Sequence, residues 1–80
     1  MRGLKDCTIR MGGDCHPLGQ VLPSVAMRKA HTMLRESMRQ SYYSGGRSRR
    51  EYEARVIADG EDIGGVTGFY RNNSIQIVHL

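Results

Sequence analysis

"EYEARVIADGEDIGGVTGFYRNNSIQIVHL" (51–80) decides how this chain folds. Residues 51–58 place Tyr52, Ala54, Val56 and Ala58 on one face, the two-residue period of a half-buried strand. Asp59-Gly60 follows, a dipeptide suited to a tight hairpin because both residues tolerate positive φ. Residues 61–70 form a second strand that carries Gly64, Gly65 and Gly68 in its interior. Asn72-Asn73 supplies a second tight turn, and 74–80 closes the stretch with Ile75 and Ile77 facing the same way. Three strands joined by two short turns read as an antiparallel β-meander.

A meander with one apolar face needs a cover, and the preceding residues provide it. Ala26, Met27, Ala30, Met33, Leu34, Ser37 and Met38 recur at the 3.6-residue spacing of one helical face. Arg28, Thr32, Arg35 and Arg39 recur on the other side, so the exposed stripe of the helix is basic. Ser24 after Pro23 reads as the N-cap, and Gly45-Gly46 as the stop. Upstream, Cys7, Ile9 and Met11 alternate with Asp6, Thr8 and Arg10, which predicts a strand over 5–11 ended by Gly12-Gly13. The stretch from Asp14 to Pro23, with two prolines and Gly19, reads as a loop. The expected fold is α+β, one domain over residues 1–80 in the order β-α-β-β-β. It has an antiparallel sheet under one amphipathic helix, and Ile9, Met33, Leu34, Val56 and Ile77 lie in the core.

Eighty residues is near the lower limit for a single core without staples, so a large buried catalytic cleft is hard to house. With no Trp, one Phe and five Met, aliphatic and thioether side chains must fill the interior. No apolar run approaches the roughly 20 residues that span a bilayer. The stretch "MRGLKDCTIRMGG" (1–13) lacks the apolar segment of a signal peptide, so the expected location is cytoplasmic, without membrane association. Cys7 and Cys15 are then expected as reduced thiols.

Charge is segregated. Arg28, Lys29, Arg35, Arg39, Arg47, Arg49 and Arg50 face Glu36 alone, a local balance of +6, whereas the rest of the chain sums to −2. Such a face attracts polyanions. The segment "YYSGGRSRRE" (42–51) adds two rings to three of those arginines. Guanidinium forks match phosphate oxygens in pairs, and tyrosine rings stack on bases. The segment faintly resembles the arginine-glycine segments of single-strand binders. Read plainly, it also suits a connector whose Tyr42 closes the apolar helix stripe. Together with the helix stripe it favours binding, and the candidate contact residues for nucleic acid or a partner are Arg28, Lys29, Arg35, Arg39, Tyr43, Arg47, Arg49 and Arg50.

Other chemistries are less well served. Cys7, Cys15, His16, His31 and His79 include zinc-ligand types, but no CxxC or HxxxH spacing organises them, and no metal or cofactor is expected. "DCH" (14–16) puts a thiol beside an imidazole, yet adjacent residues seldom face one another as nucleophile and base must. Asp59, Glu61 and Asp62 cluster in a turn where solvation accounts for them. The expectation is a protein without enzymatic activity. The three strand glycines are expected to admit the overlying helix.

One helix over a short antiparallel sheet in about eighty residues is similar, in size and architecture only, to small phage-encoded proteins, including some inhibitors of host nucleases or CRISPR complexes. That resemblance implies a second class of function: a phage-type inhibitor that contacts an acidic protein surface. The strand 74–80 carries little charge and no proline, so at a sheet edge it is also a template for homodimerisation.

Overall fold

The computed structural model describes residues 3–43, 52–72 and 74–80, with the side chains of 41–43 excepted. Six elements follow in order: β1 (Lys5–Met11), β2 (Asp14–Val21), α1 (Pro23–Tyr43), β3 (Tyr52–Ala58), β4 (Glu61–Arg71) and β5 (Ser74–His79). The strands form one antiparallel sheet in the order β2-β1-β3-β4-β5, with α1 packed on one face. The α+β class, the covering helix and the meander of β3, β4 and β5 are as the sequence predicts.

The loop expected over 14–23 is instead largely a strand. Gly12 and Gly13 have φ of 60° and 90°, and Met11 pairs with Asp14, so the glycines turn a hairpin rather than end the pairing. Pro17 and Gly19 disfavour a strand on local grounds. Both are accommodated because β2 is the sheet edge, where a missing ladder donor costs little. Leu18 bulges out of register between the pairs Thr8–Pro17 and Cys7–Gly19. The helix also starts two residues earlier than Ser24 as N-cap would allow. Pro23 occupies the first helical position, and the Leu22 carbonyl accepts from the N–H groups of Val25 and Ala26, each at 3.0 Å.

Core packing depends on small residues. Ala26, Ala30, Leu34 and Met38 form a fully buried row one helical turn apart, facing Ile9, Ala54, Val56 and Val66 of the sheet. Of the expected core residues, Ile9, Leu34 and Val56 have no exposed surface, while Met33 and Ile77 pack half-buried against them. The glycines of β4 have three different causes. A Cβ on Gly68 would strike the Met38 sulfur, the close helix approach foreseen above. A Cβ on Gly65 would strike the Ala54 carbonyl and come within 2.9 Å of Arg55 Cα, so the neighbouring strand excludes it. Gly64 holds a φ of 125° beside the bulge at Ile63, between the pairs Val56–Gly64 and Ile57–Asp62.

Hydrogen bonds fix both ends of the structure, one within the sheet and one between sheet and helix. Asp59, with φ of 50° in the β3–β4 turn, accepts from the Asp6 N–H at 2.9 Å and donates its own N–H to the Asp6 carbonyl at 2.9 Å. At the far end the Tyr70 hydroxyl donates to the Met38 carbonyl, and its ring meets Tyr52 edge to face with centroids 6.1 Å apart.

Truncating Leu34 to Ala should cost about 2–5 kcal/mol in chemical denaturation, a large share of the stability of so small a domain. Gly65→Ala should destabilise more than Gly68→Ala, because backbone cannot yield where a thioether can. Equal midpoints for the two glycine variants would contradict this assignment.

Candidate nucleic-acid or partner interface

The α1 sequence dictates its own orientation. Burying Ala26, Ala30, Leu34 and Met38 leaves Arg28, Lys29, Thr32, Glu36 and Arg39 exposed, with Arg35 half-buried at the flank. At 3.6 residues per turn Arg28, Arg35 and Arg39 fall within roughly 40° of arc and extend over roughly 16 Å of helix. Lys29 lies about a quarter-turn away, beside Glu36. The helix thus brings four of the predicted site residues together as one solvent-facing cationic surface.

These cations are poorly neutralised. Arg39 approaches Glu36 at 4.0 Å, a loose pair between two half-exposed side chains. Arg28, Lys29 and Arg35 make no ion pair with any described residue. Arg55 on β3 is the contrast. Its Nε and Nη2 grip both oxygens of Asp62 at 3.0 Å, and Nη1 reaches Glu53 at 2.9 Å. Side-chain bonding to Asp62 and Glu53 raises the Arg55 pKa further, and Arg55 together with the Gly64 N–H holds the Asp62 carboxyl below its ordinary value. Asp62 and Asp59 therefore have structural partners, where the sequence reading assigned them to solvation alone.

Tyr43 is the last residue of α1, four positions after Arg39. Its side chain, like the whole of Arg47, Arg49 and Arg50, lies outside the described residues, as does the expected stop at Gly45-Gly46.

The fold also assembles a feature with no local sequence signal. Pro23, Ser24, Met27, Arg28 and His31 of α1, Ile63 of β4 and His79 of β5 line an open groove of about 540 Å³. Its walls are mostly apolar, and Arg28 belongs to both the groove and the cationic stripe. His31 and His79 meet there only because β5 pairs beside β4 under the helix.

The cysteines and His16 diverge. Cys7 is buried under the helix with its thiol toward the Val21 carbonyl at 3.8 Å. Burial first, then Asp59 and Asp6, raises its pKa against the opposing effect of Lys5, so the thiolate is disfavoured. Cys15 pairs with Arg10 on the uncovered face, and His16 pairs with Ile9 on the helix side. Both cysteines are free, and they lie on opposite faces. Among the described residues no three His, Cys, Asp or Glu side chains are placed to hold a metal ion. Among them, too, no helix is long and apolar enough to cross a membrane.

No protein-family model, curated protein or solved structure matches this chain.

The Arg55–Asp62 bridge carries a pH signature. Because the folded-state pKa of Asp62 is depressed, the bridge's contribution is fully present above the ordinary aspartate range. It is lost as pH falls through the folded value. Asp62→Asn should flatten the acid limb of the melting-temperature profile between neutral pH and pH ~3, and an unchanged limb would remove the bridge from the stability balance.

Proposed function

We propose that this protein is a non-catalytic binding module that contacts nucleic acid through the exposed cationic face of α1. The observation that carries this reading is the gathering of cations on one helix face. Arg28, Lys29 and Arg35 have no ion-pair partner among the described residues; the sheet cations Lys5, Arg10 and Arg71 have none either but are spread over β1 and β4, and Arg55 is held by two carboxylates. A helix face of this length covers about five nucleotide steps of a duplex axis at 3.4 Å each. Arg47, Arg49 and Arg50 follow the helix in sequence and strengthen the same local balance, and Tyr43 adds a ring for stacking on an unpaired base. Charge of this kind binds phosphate without reading bases, so the interaction is expected to be weakly sequence-dependent.

The groove beside Arg28 favours a second reading. Apolar walls next to free cations suit an acidic protein segment with hydrophobic side chains, as an inhibitor of the small phage type would engage. The cytoplasm is the location that fits both readings.

Titration of labelled single-stranded and duplex oligonucleotides at two salt concentrations tests the first reading. Affinity should fall with salt by about 0.7 to 0.9 logarithmic units per decade for each phosphate contact, and each of Arg28→Ala, Arg35→Ala and Arg39→Ala should flatten that slope by about one contact. The domain should keep its melt, since these side chains lie outside the core. Tyr43→Ala should weaken single-strand binding by about 1–3 kcal/mol at unchanged slope. Failure of both nucleic-acid forms to bind at low salt would overturn the reading and leave the acidic protein partner.

A further inference from the structure

The two edges of the sheet differ in kind. The outer strand β2 is defended: Pro17 lacks a donor, Gly19 has a φ of 78°, Leu18 bulges and Asp14 adds charge. The opposite edge, β5, has none of these devices. It reads Ser-Ile-Gln-Ile-Val-His, without proline, glycine, carboxylate, lysine or arginine.

Its ladder identifies the unused backbone groups. Ser74 closes the hairpin against Arg71, and the Leu80 N–H donates to the Gly65 carbonyl at 2.9 Å. Hydrogen-bonded pairs alternate along an antiparallel ladder, so Ser74, Gln76, Val78 and Leu80 direct their N–H and C=O toward β4. Those of Ile75, Ile77 and His79 point off the sheet. The apolar surface gathers here as well. Val78 is 46% exposed and Leu80 56% exposed, Ile63 is 39% exposed beside His79, and Ile75 and Ile77 are half-buried.

We propose that β5 is a homodimerisation edge, pairing antiparallel with β5 of a second copy about a two-fold axis at Ile77. The occupant follows from self-complementarity. With Ile77 opposite its own copy, Ile75 meets His79 of the second copy, and every outward N–H and C=O of these three residues gains a partner. On the uncovered face Gln76 meets Val78 of the second copy, so no like charges oppose one another. The helix leaves room, because α1 packs chiefly on β3 and β4 and only lightly on β5. The result is a continuous ten-stranded sheet with both helices on one side, and the two groove-facing flanks of α1 directed toward each other. This inference stands on the sheet edge and does not rest on nucleic-acid binding.

Sedimentation equilibrium over a concentration series tests it. The chain should associate reversibly to twice its 9.0 kDa mass. Ile77→Pro deletes an N–H that the monomer does not use, so it should leave the folded monomer and abolish the dimer. Val78→Lys, on the exposed face of the same edge, should weaken association by at least about tenfold while the melt of the dilute monomer is unchanged. A wild-type chain that stays at 9.0 kDa throughout would overturn the proposal. So would persistence of the dimer in a folded Ile77→Pro variant or, should that variant not fold, in Val78→Lys.

Discussion

The close approach of α1 to the sheet is the constraint on which the rest of the molecule depends. A chain with no tryptophan and one phenylalanine cannot fill a thick interior, so density must come from bringing backbones together. Ala26 and Ala30 on the helix, Ala54 and Ala58 on β3 and Gly68 on β4 permit that approach, and Leu34 and Met38 fill what remains. A Cβ at Gly68 would have to push the Met38 thioether aside. Tyr70 and Asp59 then hold the two ends of the layer in register, one through a helix carbonyl and the other through β1.

Once that row is buried, the direction of every other helical side chain is set. Arg28, Arg35 and Arg39 face water because Ala26, Ala30, Leu34 and Met38 do not. On the uncovered face of the sheet Arg55 is instead paired with Asp62 and Glu53, although Arg10 beside it has no ion-pair partner among the described residues. Two faces of one domain therefore present different electrostatics, although the sequence intermixes both signs along the sheet strands. The segregation is a property of the fold as much as of the 28–50 stretch.

The elements with a clean period were legible in the sequence. Cys7-Ile9-Met11, Tyr52-Ala54-Val56-Ala58 and the helical row each bury one face, and Asp59-Gly60 and Asn72 carry the positive φ that their turns require. The strand β2 was illegible because its residues oppose strand formation locally. Pro17 and Gly19 are tolerated only at an edge, and edge position is decided by the pairing of β1 with β3, which no local pattern announces. The same limit applies to the site. The basic stripe could be read from periodicity, but the groove joining His31 to His79 and the Arg55–Asp62 bridge depend on which strands become neighbours. Gly65 is the sharpest case. It was legible as a close contact, but the contact is the Ala54 backbone across the ladder, not the helix above.

The placement of α1 also explains why the distinctive surfaces share one side of the molecule. The helix packs mainly over β3 and β4, so β5 is thinly covered, and the gap between them is the groove. Arg28 overhangs that groove from the end of the cationic stripe, and His79 lines it from the bare edge strand. Centring the helix farther toward β5 would close the groove and shield Ile75 and Ile77. It would also uncover Cys7 and Ile9 on β1, both of which are now fully buried. With one helix to cover five strands, burial of β1 and β3 leaves β5 open. An apolar groove, a cationic rim and a strand edge unpaired among the described residues therefore arise together from a single packing choice.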